Sequence, residues 1–334
     1  MFQKLRKSKK LLLVAMACAT FAIAGCGSDT TKNAADNGNA VTWSETFDGT
    51  KTDFAVKSSP THAVSMSQAT TEMMLQLGLE DKMAGTAFKE EEIYPPLQAA
   101  YDKVKVLSDK WPSYEVFMSV KPDFATGWPD SFSKRAIPAD KMIAQKVNIW
   151  LPESMLSTKA DLETNFNDMI KLGEIFGVKS KAEEWVAGQR KTLEAIQAKL
   201  KDLPRKRVFI YDSEDGQPFT AFEGYTTNIL KLIGADNVMS GLGVDKTWAK
   251  GSWETVIAQN PDYIIIADYG TSIRNDDDFQ QKIEKIKSNP QLQDITAVKE
   301  GHFIRVKLSE ITPGVRTVDA LKRLAEEIHG VKID

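Results

Sequence analysis

The chain has 334 residues, 43 of them lysine or arginine and 46 aspartate or glutamate, and only two cysteines, Cys18 and Cys26. Five of the basic residues lie within the first ten positions, so the rest of the chain carries 38 basic and 46 acidic residues, a formal charge of −8. This acidic balance excludes a general nucleic-acid-binding protein. Two cysteines exclude a disulfide framework and a cysteine-rich metal site.

Residues 1–25 have the pattern of an export signal. A basic start precedes an apolar run, 11–23, which is too short to span a bilayer. The run closes on the sequence IAGC, small residues directly before Cys26, which resembles the lipobox of bacterial lipoproteins. We therefore expect cleavage before Cys26 and lipidation of its thiol, whereas the alternative is a plain secretory signal that ends near a cysteine. In the lipoprotein case the acyl chains are the only attachment to the membrane.

Residues 26–57 come next and form a tether followed by a short hairpin. The first part, up to Ala40, is polar and rich in Gly, Asn, Asp and Thr, which is typical of a flexible linker. Beyond it, alternating apolar residues flank Asp48-Gly49, a pair that favours a tight β-turn. About 290 residues remain after the linker, which is enough for two hydrophobic cores.

Short β-rich runs alternate with helical patterns from His62 onward, and the alternation occurs in two similar halves. We predict an N-terminal lobe over 58–180 and a C-terminal lobe over 204–334. Strands are predicted at 62–67, 83–88, 104–108, 122–128 and 146–152 in the first half, and at 207–213, 262–270 and 302–309 in the second. Strands that alternate with helices pair in parallel, so the predicted fold class is α/β with two Rossmann-like lobes.

One long helix is predicted to join the lobes, over residues 181–203. Its apolar positions, Val186, Leu193, Ile196, Leu200 and Leu203, recur at helical spacing along one face. A helix of this length spans about 33 Å, enough to cross from one lobe to the other. A continuous helix also resists the sharp hinge that extended crossover strands permit.

The chain contains the same phrase twice. SYEVFMSVKPDF begins at Ser113 and SWETVIAQNPDY at Ser252, and both share a serine, an aromatic ring, a glutamate, an apolar run and Pro-Asp. Each serine is predicted to cap a helix, with Glu115 or Glu254 in its first turn. Helix capping explains each glutamate by itself, but it does not explain why an aromatic residue followed by a glutamate recurs at matching positions in both halves.

Catalytic motifs do not emerge from the sequence. The three histidines are far apart and lack metal-ligand spacing, and no phosphate-binding loop, dinucleotide fingerprint or nucleophile elbow is present. We therefore expect a protein that is not an enzyme, with no cofactor and no metal site of its own.

The lipobox, the twin phrases, the single linking helix and the terminal sequence ITPGVRTVDALKRLAEEIHG together resemble the solute-binding lipoproteins of ABC importers, in the branch for ferric siderophores, haem and cobalamin. The resemblance implies two lobes with a ligand in the cleft between them, a location outside the cytoplasm, and a partner permease of two transmembrane subunits with its ATPase. It also implies that Glu115 and Glu254 dock onto arginines of those two subunits.

Ligand contacts are expected on the loops that follow the carboxyl ends of the strands. The residues placed there by the sequence are Gln68, Phe88, Trp111, Trp128, Tyr225, Trp248 and Arg316. Core packing is the alternative for each ring, and a local salt bridge is the alternative for Arg316. An aromatic cleft suits a large, partly apolar chelate. The sequence thus favours capture of a ferric siderophore, then of a corrinoid or haem; a ligand-sensing surface lipoprotein is the alternative of another class.

Overall fold

The computed structural model describes residues 40–269 and 278–333. Its strands are β1 Val41–Phe47, β2 Thr50–Val56, β3 Ala63–Ser65, β4 Met83–Ala87, β5 Val106–Ser108, β6 Phe124–Thr126, β7 Asn148–Trp150, β8 Lys206–Tyr211, β9 Ser213–Asp215, β10 Gln217–Ala221, β11 Ala235–Asn237, β12 Trp248–Lys250, β13 Tyr263–Asp268 and β14 Phe303–Lys307. Its helices are α1 Gln68–Gln76, α2 Gln98–Tyr101, α3 Tyr114–Ser119, α4 Ala139–Ala144, α5 Leu162–Ile175, α6 Lys179–Leu200, α7 Tyr225–Leu232, α8 Trp253–Gln259, α9 Asp278–Ser288, α10 Thr296–Glu300, α11 Leu308–Ile311 and α12 Thr317–His329.

The first lobe is built on a five-stranded sheet in the order β5-β4-β3-β6-β7, with every neighbouring pair parallel. The central strands β3 and β6 are fully buried. Because the sheet is covered on both faces, these strands read as short apolar runs rather than as an alternating pattern. The carboxyl ends of all five strands meet at one edge, where the loops that carry the candidate ligand contacts begin.

The second lobe contains a four-stranded parallel sheet in the order β11-β8-β13-β14. It also contains a feature that the sequence did not predict, a three-stranded antiparallel sheet in the order β12-β10-β9. The pairing of β10 with β12 places Ala221 opposite Trp248, and so fixes where that ring lies. The predicted α/β class with two lobes is confirmed.

Helix α6 joins the lobes, two residues earlier in the chain than predicted. Its 22 residues span about 33 Å. Ala182, Val186, Ile196 and Leu200 form its buried face, and they belong to a hydrophobic cluster that includes residues of both lobes. The other faces are solvated, which accounts for its many charged residues. None of the helices within residues 40–269 and 278–333 combines the length and apolarity needed to cross a membrane.

The β1–β2 hairpin turns at Asp48-Gly49, where both residues have positive φ, as predicted. It packs on the first lobe beside β7. Trp43 donates its indole N–H to the Ile149 carbonyl at 2.7 Å, and Glu45 accepts from the Leu151 N–H at 3.0 Å. The hairpin is therefore part of the first lobe.

The fold explains most of the repeated phrase. Ser113 and Ser252 cap α3 and α8 by accepting from the backbone N–H three residues later. After each helix the chain turns through a left-handed residue, Lys121 or Asn260. The two Pro-Asp aspartates have the same role, which is to accept from backbone N–H groups at the start of a neighbouring strand. Asp123 accepts from those of Thr61 and His62, before β3, and Asp262 accepts from that of Arg207 in β8.

Candidate ligand-binding cleft

A cavity of about 320 Å³ lies between the two lobes, at the carboxyl ends of their strands. The first lobe lines it with Phe88, Glu90, Trp111, Trp128 and Asp130, and the second with Asp212, Phe219, Trp248, Tyr269, Leu308 and Thr312. A cavity of about 20 Å³, room for about one water molecule, adjoins it and shares five of these residues. Four of the five rings that the sequence placed at the cleft, Phe88, Trp111, Trp128 and Trp248, thus line one cavity.

Each lobe presents a stacked aromatic pair to the cavity. In the first lobe Phe88 and Trp111 have ring centroids 4.5 Å apart and an interplanar angle of 11°. In the second, Phe219 and Trp248 lie 6.2 Å apart at 18°. All four side chains are half-buried, so ring surface stays available. The cavity therefore has apolar, polarizable walls supplied from two directions.

Two more rings have their polar atoms fixed by carboxylates. Trp128 donates its indole N–H to Glu90 at 3.0 Å, and Tyr269 donates its hydroxyl to Asp212 at 2.5 Å. Asp212 also accepts from the Ser213 hydroxyl at 2.8 Å. Because these polar atoms are already bonded within the protein, both rings can offer a ligand their faces.

The cavity walls carry carboxylates. Burial raises the pKa of Glu90 to about 7, although the Trp128 hydrogen bond opposes the shift. Asp130 is more exposed and pairs with Arg135 at 2.6 Å. Burial and the adjacent Asp212 carboxylate raise the pKa of Tyr269, so its phenol remains protonated and donates. The lining residues that the structure describes thus include three acidic side chains and no basic one, which disfavours a polyanionic ligand.

Local backbone geometry positions the rings of the first lobe. Phe88 directly follows β4 and has a φ of +60°, a left-handed conformation that a bulky residue adopts at a cost. Its stacking on Trp111, whose indole N–H donates to the Met66 carbonyl at 3.1 Å, holds the ring in place. Gly127 precedes Trp128, and a Cβ there would lie 2.8 Å from the Met66 Cβ, so a glycine lets the chain pass β3 closely.

Arg316, which the sequence places at the cleft as a ligand contact, is buried and bonded to residues of the other lobe. It is 5% exposed and is not among the residues that line the cavity. Its Nε donates to Glu72 at 2.8 Å, and its Nη1 donates to Glu91 at 3.0 Å. Glu72 and Glu91 belong to the first lobe and Arg316 to the second, so we call this buried group the interlobe clasp. The guanidinium is already paired with two carboxylates, so its positive charge is neutralised within the protein rather than by a ligand oxygen.

Gln68 borders the small cavity, but its amide bonds the protein. Its Oε1 accepts from the backbone N–H groups of Glu90 and Glu91 at 2.9 and 2.8 Å. Its Nε2 donates to Glu72 Oε1 and to the Glu92 carbonyl, both at 3.0 Å. A glutamine has two donor hydrogens and two acceptor positions, and all four are used. The Gln68 side chain therefore has no free donor or acceptor for the ligand contact that the sequence predicts.

Tyr225 does not line the cavity. It is the first residue of α7 rather than a loop residue, and it is 3% exposed within the core. Its hydroxyl and that of Thr317 are 2.8 Å apart, and burial raises its pKa. The core-packing alternative applies to this ring, because its side chain is buried and its hydroxyl is bonded to that of Thr317.

Several cavity residues escaped the sequence reasoning. Asp212 and Tyr269 directly follow β8 and β13, so the rule that ligands contact the ends of parallel strands would have found both. Phe219 gives no such signal. It lies on β10, in the antiparallel sheet, and only tertiary pairing brings it beside Trp248.

Glu115 and Glu254 lie in the first turns of α3 and α8, and both are exposed. Neither appears in an ion pair within residues 40–269 and 278–333. Hydrogen bonds from its own backbone N–H and from Ser113 lower the pKa of Glu115. Cys26 falls outside the described residues. Over the same ranges, no three His, Cys, Asp or Glu side chains come together in a way that could hold a metal ion.

Comparisons with known proteins agree with this architecture. A family model described as periplasmic binding protein matches residues 64–308. A crystal structure of a periplasmic binding protein from Veillonella parvula is 95% identical, covers 89% of this chain and all of its own, and has a TM-score of 0.87. The uncharacterized ABC transporter substrate-binding lipoprotein YvrC of Bacillus subtilis is 25% identical over 97% of this chain and 98% of its own length. A vitamin B12-binding protein of Vibrio vulnificus is 23% identical over 80% of this chain and 90% of its own length.

Proposed function

Because the chain belongs to the periplasmic binding protein family and is a substrate-binding protein of an ABC transporter, we propose that it captures a metal chelate, in the first place a ferric siderophore, and delivers it to the permease. Members of this family are binding proteins rather than enzymes, lie outside the cytoplasm and work with a permease and an ATPase. Binding and release, without a chemical step, is the role we assign to this chain.

The observation that carries the proposal is the aromatic lining of the cleft. Six rings from two lobes surround a cavity of about 320 Å³, and buried aromatic surface favours a large, partly apolar ligand over a sugar or a bare ion. The Asp212 and Glu90 side chains, the latter only partly ionised near neutral pH because burial raises its pKa to about 7, favour a chelate without excess negative charge, such as a ferric trihydroxamate. They weigh against haem, which carries two carboxylates of its own.

A corrinoid is the second candidate. The similarity to a vitamin B12-binding protein favours it, since corrinoids also combine a large apolar face with a metal centre. A ferric siderophore is the smaller ligand and fits a cavity of this volume more readily, because a corrinoid would have to protrude well beyond the cleft.

The test is a binding titration of the purified protein with a ferric trihydroxamate, a ferric catecholate, cyanocobalamin, haemin and free Fe³⁺, read by tryptophan fluorescence. We expect sub-micromolar binding of the trihydroxamate and a tenfold or greater loss in Trp128→Ala, about 1.4 kcal/mol. Trp185→Phe is the control, because Trp185 lies on the linking helix, packs edge-on against Phe166 and does not line the cavity. Binding of free Fe³⁺ with none of the chelates would refute the proposed ligand class, as would binding of a sugar or an amino acid titrated alongside them.

Delivery requires attachment and docking, which we propose for Cys26 and for the glutamate pair. An acylated Cys26 would hold the protein at the outer face of the membrane while the linker gives the lobes reach. Glu115 and Glu254 occupy matching positions on two similar lobes, and two similar lobes suit a partner made of two similar subunits. Exposed charges of this kind set encounter and register with a partner.

A further inference from the structure

The loop after β4 belongs to two sites at once. Residues 88–94, which we call the bridging loop, send Phe88 and Glu90 to the ligand cavity. The same loop sends Glu91 to Arg316 in the interlobe clasp, and Glu92 to Lys307 at 3.0 Å. Its last residue, Tyr94, donates its hydroxyl to Asp319 of α12. The first part of the bridging loop thus lines the ligand cavity, and the part from Glu91 onward bonds the opposite lobe.

Gln68 is the residue that fixes this loop. As described above, its four hydrogen bonds tie the backbone N–H groups of Glu90 and Glu91, the Glu92 carbonyl and the Glu72 carboxylate. Glu72 is in turn a direct partner of Arg316. The side chain is 3% exposed and has no spare hydrogen-bonding group. A shift of the bridging loop therefore changes the hydrogen bonds of Gln68, and through Glu72 the change reaches Arg316 in the interlobe clasp.

The carboxylate of Glu91 strengthens the link. It accepts from Arg316 and from the Ser309 hydroxyl, so α11 and the start of α12 in the second lobe both contact this one side chain. Ser309 also borders the small cavity beside the cleft. The cavity and the interlobe clasp therefore share a buried hydrogen-bonded network, in which removing one member leaves others unsatisfied.

We propose that Gln68 is a positioning residue that couples the ligand cavity to the interlobe clasp, so that ligand occupancy and the lobe arrangement stabilise each other. This rests on the proposed function in naming the cavity as the ligand site. By linkage, a ligand that binds more tightly when the clasp is formed must stabilise the formed clasp by the same factor by which the formed clasp raises ligand affinity.

Hydrogen exchange read by mass spectrometry on the full chain tests the coupling. In the ligand-free protein, Gln68→Met should speed exchange at least tenfold in 88–94 and also in 307–319, on the other lobe. Gln68→Glu keeps the acceptor for Glu90 and Glu91 but loses the donors to Glu72 and the Glu92 carbonyl, and it places a second carboxylate beside Glu72. It should therefore loosen 307–319 more than 88–94. Gln98→Met is the control, since Gln98 is an exposed glutamine of the same lobe that bonds only Asp102. Faster exchange confined to 88–94 in both variants would overturn the proposal.

The ligand arm uses a ferric trihydroxamate and cyanocobalamin as probes. In the parent protein, the probe that binds should slow exchange in 307–319 as well as in 88–94. In Gln68→Met, affinity should fall tenfold or more and the slowing at 307–319 should disappear. If a bound probe slows exchange in 88–94 of the parent protein while the exchange rate in 307–319 does not change, the proposed coupling is wrong. If neither probe binds, the proposed function fails for these ligands, and the ligand-free comparison still decides whether Gln68 links the two regions.

Discussion

Removal of Arg316 should destabilise the protein far more than removal of an exposed arginine. Arg316 is 5% exposed, and its partners Glu72 and Glu91 are 2% and 6% exposed. Arg316→Met would keep much of the side-chain length but leave two buried carboxylates without their cation. Breaking a buried ion pair from one side costs about 3–5 kcal/mol, because the remaining charge stays desolvated. At about 2 °C per kcal/mol for a chain of this size, the melting temperature should fall by roughly 6–10 °C.

Arg323→Met is the matched control. Arg323 also makes two carboxylate contacts, to Glu310 at 2.8 Å and Glu327 at 2.7 Å, but its side chain is 37% exposed. Exposed pairs contribute about 0–1 kcal/mol. Urea and thermal unfolding of both variants, followed by tryptophan fluorescence, measure the difference, and Glu72→Gln added to Arg316→Met should recover part of the loss. If Arg316→Met costs no more than Arg323→Met, the buried clasp is not a stabilising contact between the lobes.

Three further predictions concern the anchor, the hairpin and the docking surface. Cys26→Ala should leave chelate affinity unchanged but move the protein from the membrane to the soluble fraction; a mutant that stays on membranes contradicts the anchor. Burial raises the pKa of Glu45 from 4.5 to about 7, so the folded state holds the proton more tightly than the unfolded chain and stability must fall as pH rises through that range. Glu45→Gln should therefore stabilise by on the order of 3 kcal/mol at pH 8 and change little at pH 4, in urea titrations at both pH values. Equal effects at the two pH values would contradict the shift. Glu115→Arg with Glu254→Arg should sharply lower uptake in cells that lack the native protein, with chelate affinity and melting temperature nearly unchanged, whereas Glu184→Arg on the exposed side of the linking helix should not; normal uptake by the double mutant would return both residues to the role of helix caps.

The sequence alone determined the features that depend on local chemistry. The α/β class, the hairpin at Asp48-Gly49 and the helix caps at Ser113 and Ser252 follow from turn residues, capping residues and apolar periodicity. The linking helix was found within two residues of its start for the same reason. Four cavity rings were also found, because parallel strands bring their carboxyl ends to one edge of a sheet whatever the details of packing.

Only the tertiary structure decided which polar groups have a partner. Arg316, Glu72 and Glu91 are separated by up to 244 positions, and no local pattern shows that they neutralise one another. Gln68 likewise looks like a free amide until the bridging loop is folded against it. Phe219 joins the cavity through an antiparallel sheet that the alternating pattern did not reveal, and Tyr225 does not line it because its side chain packs in the core. Burial and hydrogen-bond partners depend on which residues the fold brings together, so a sequence indicates the donor and acceptor atoms but not their partners.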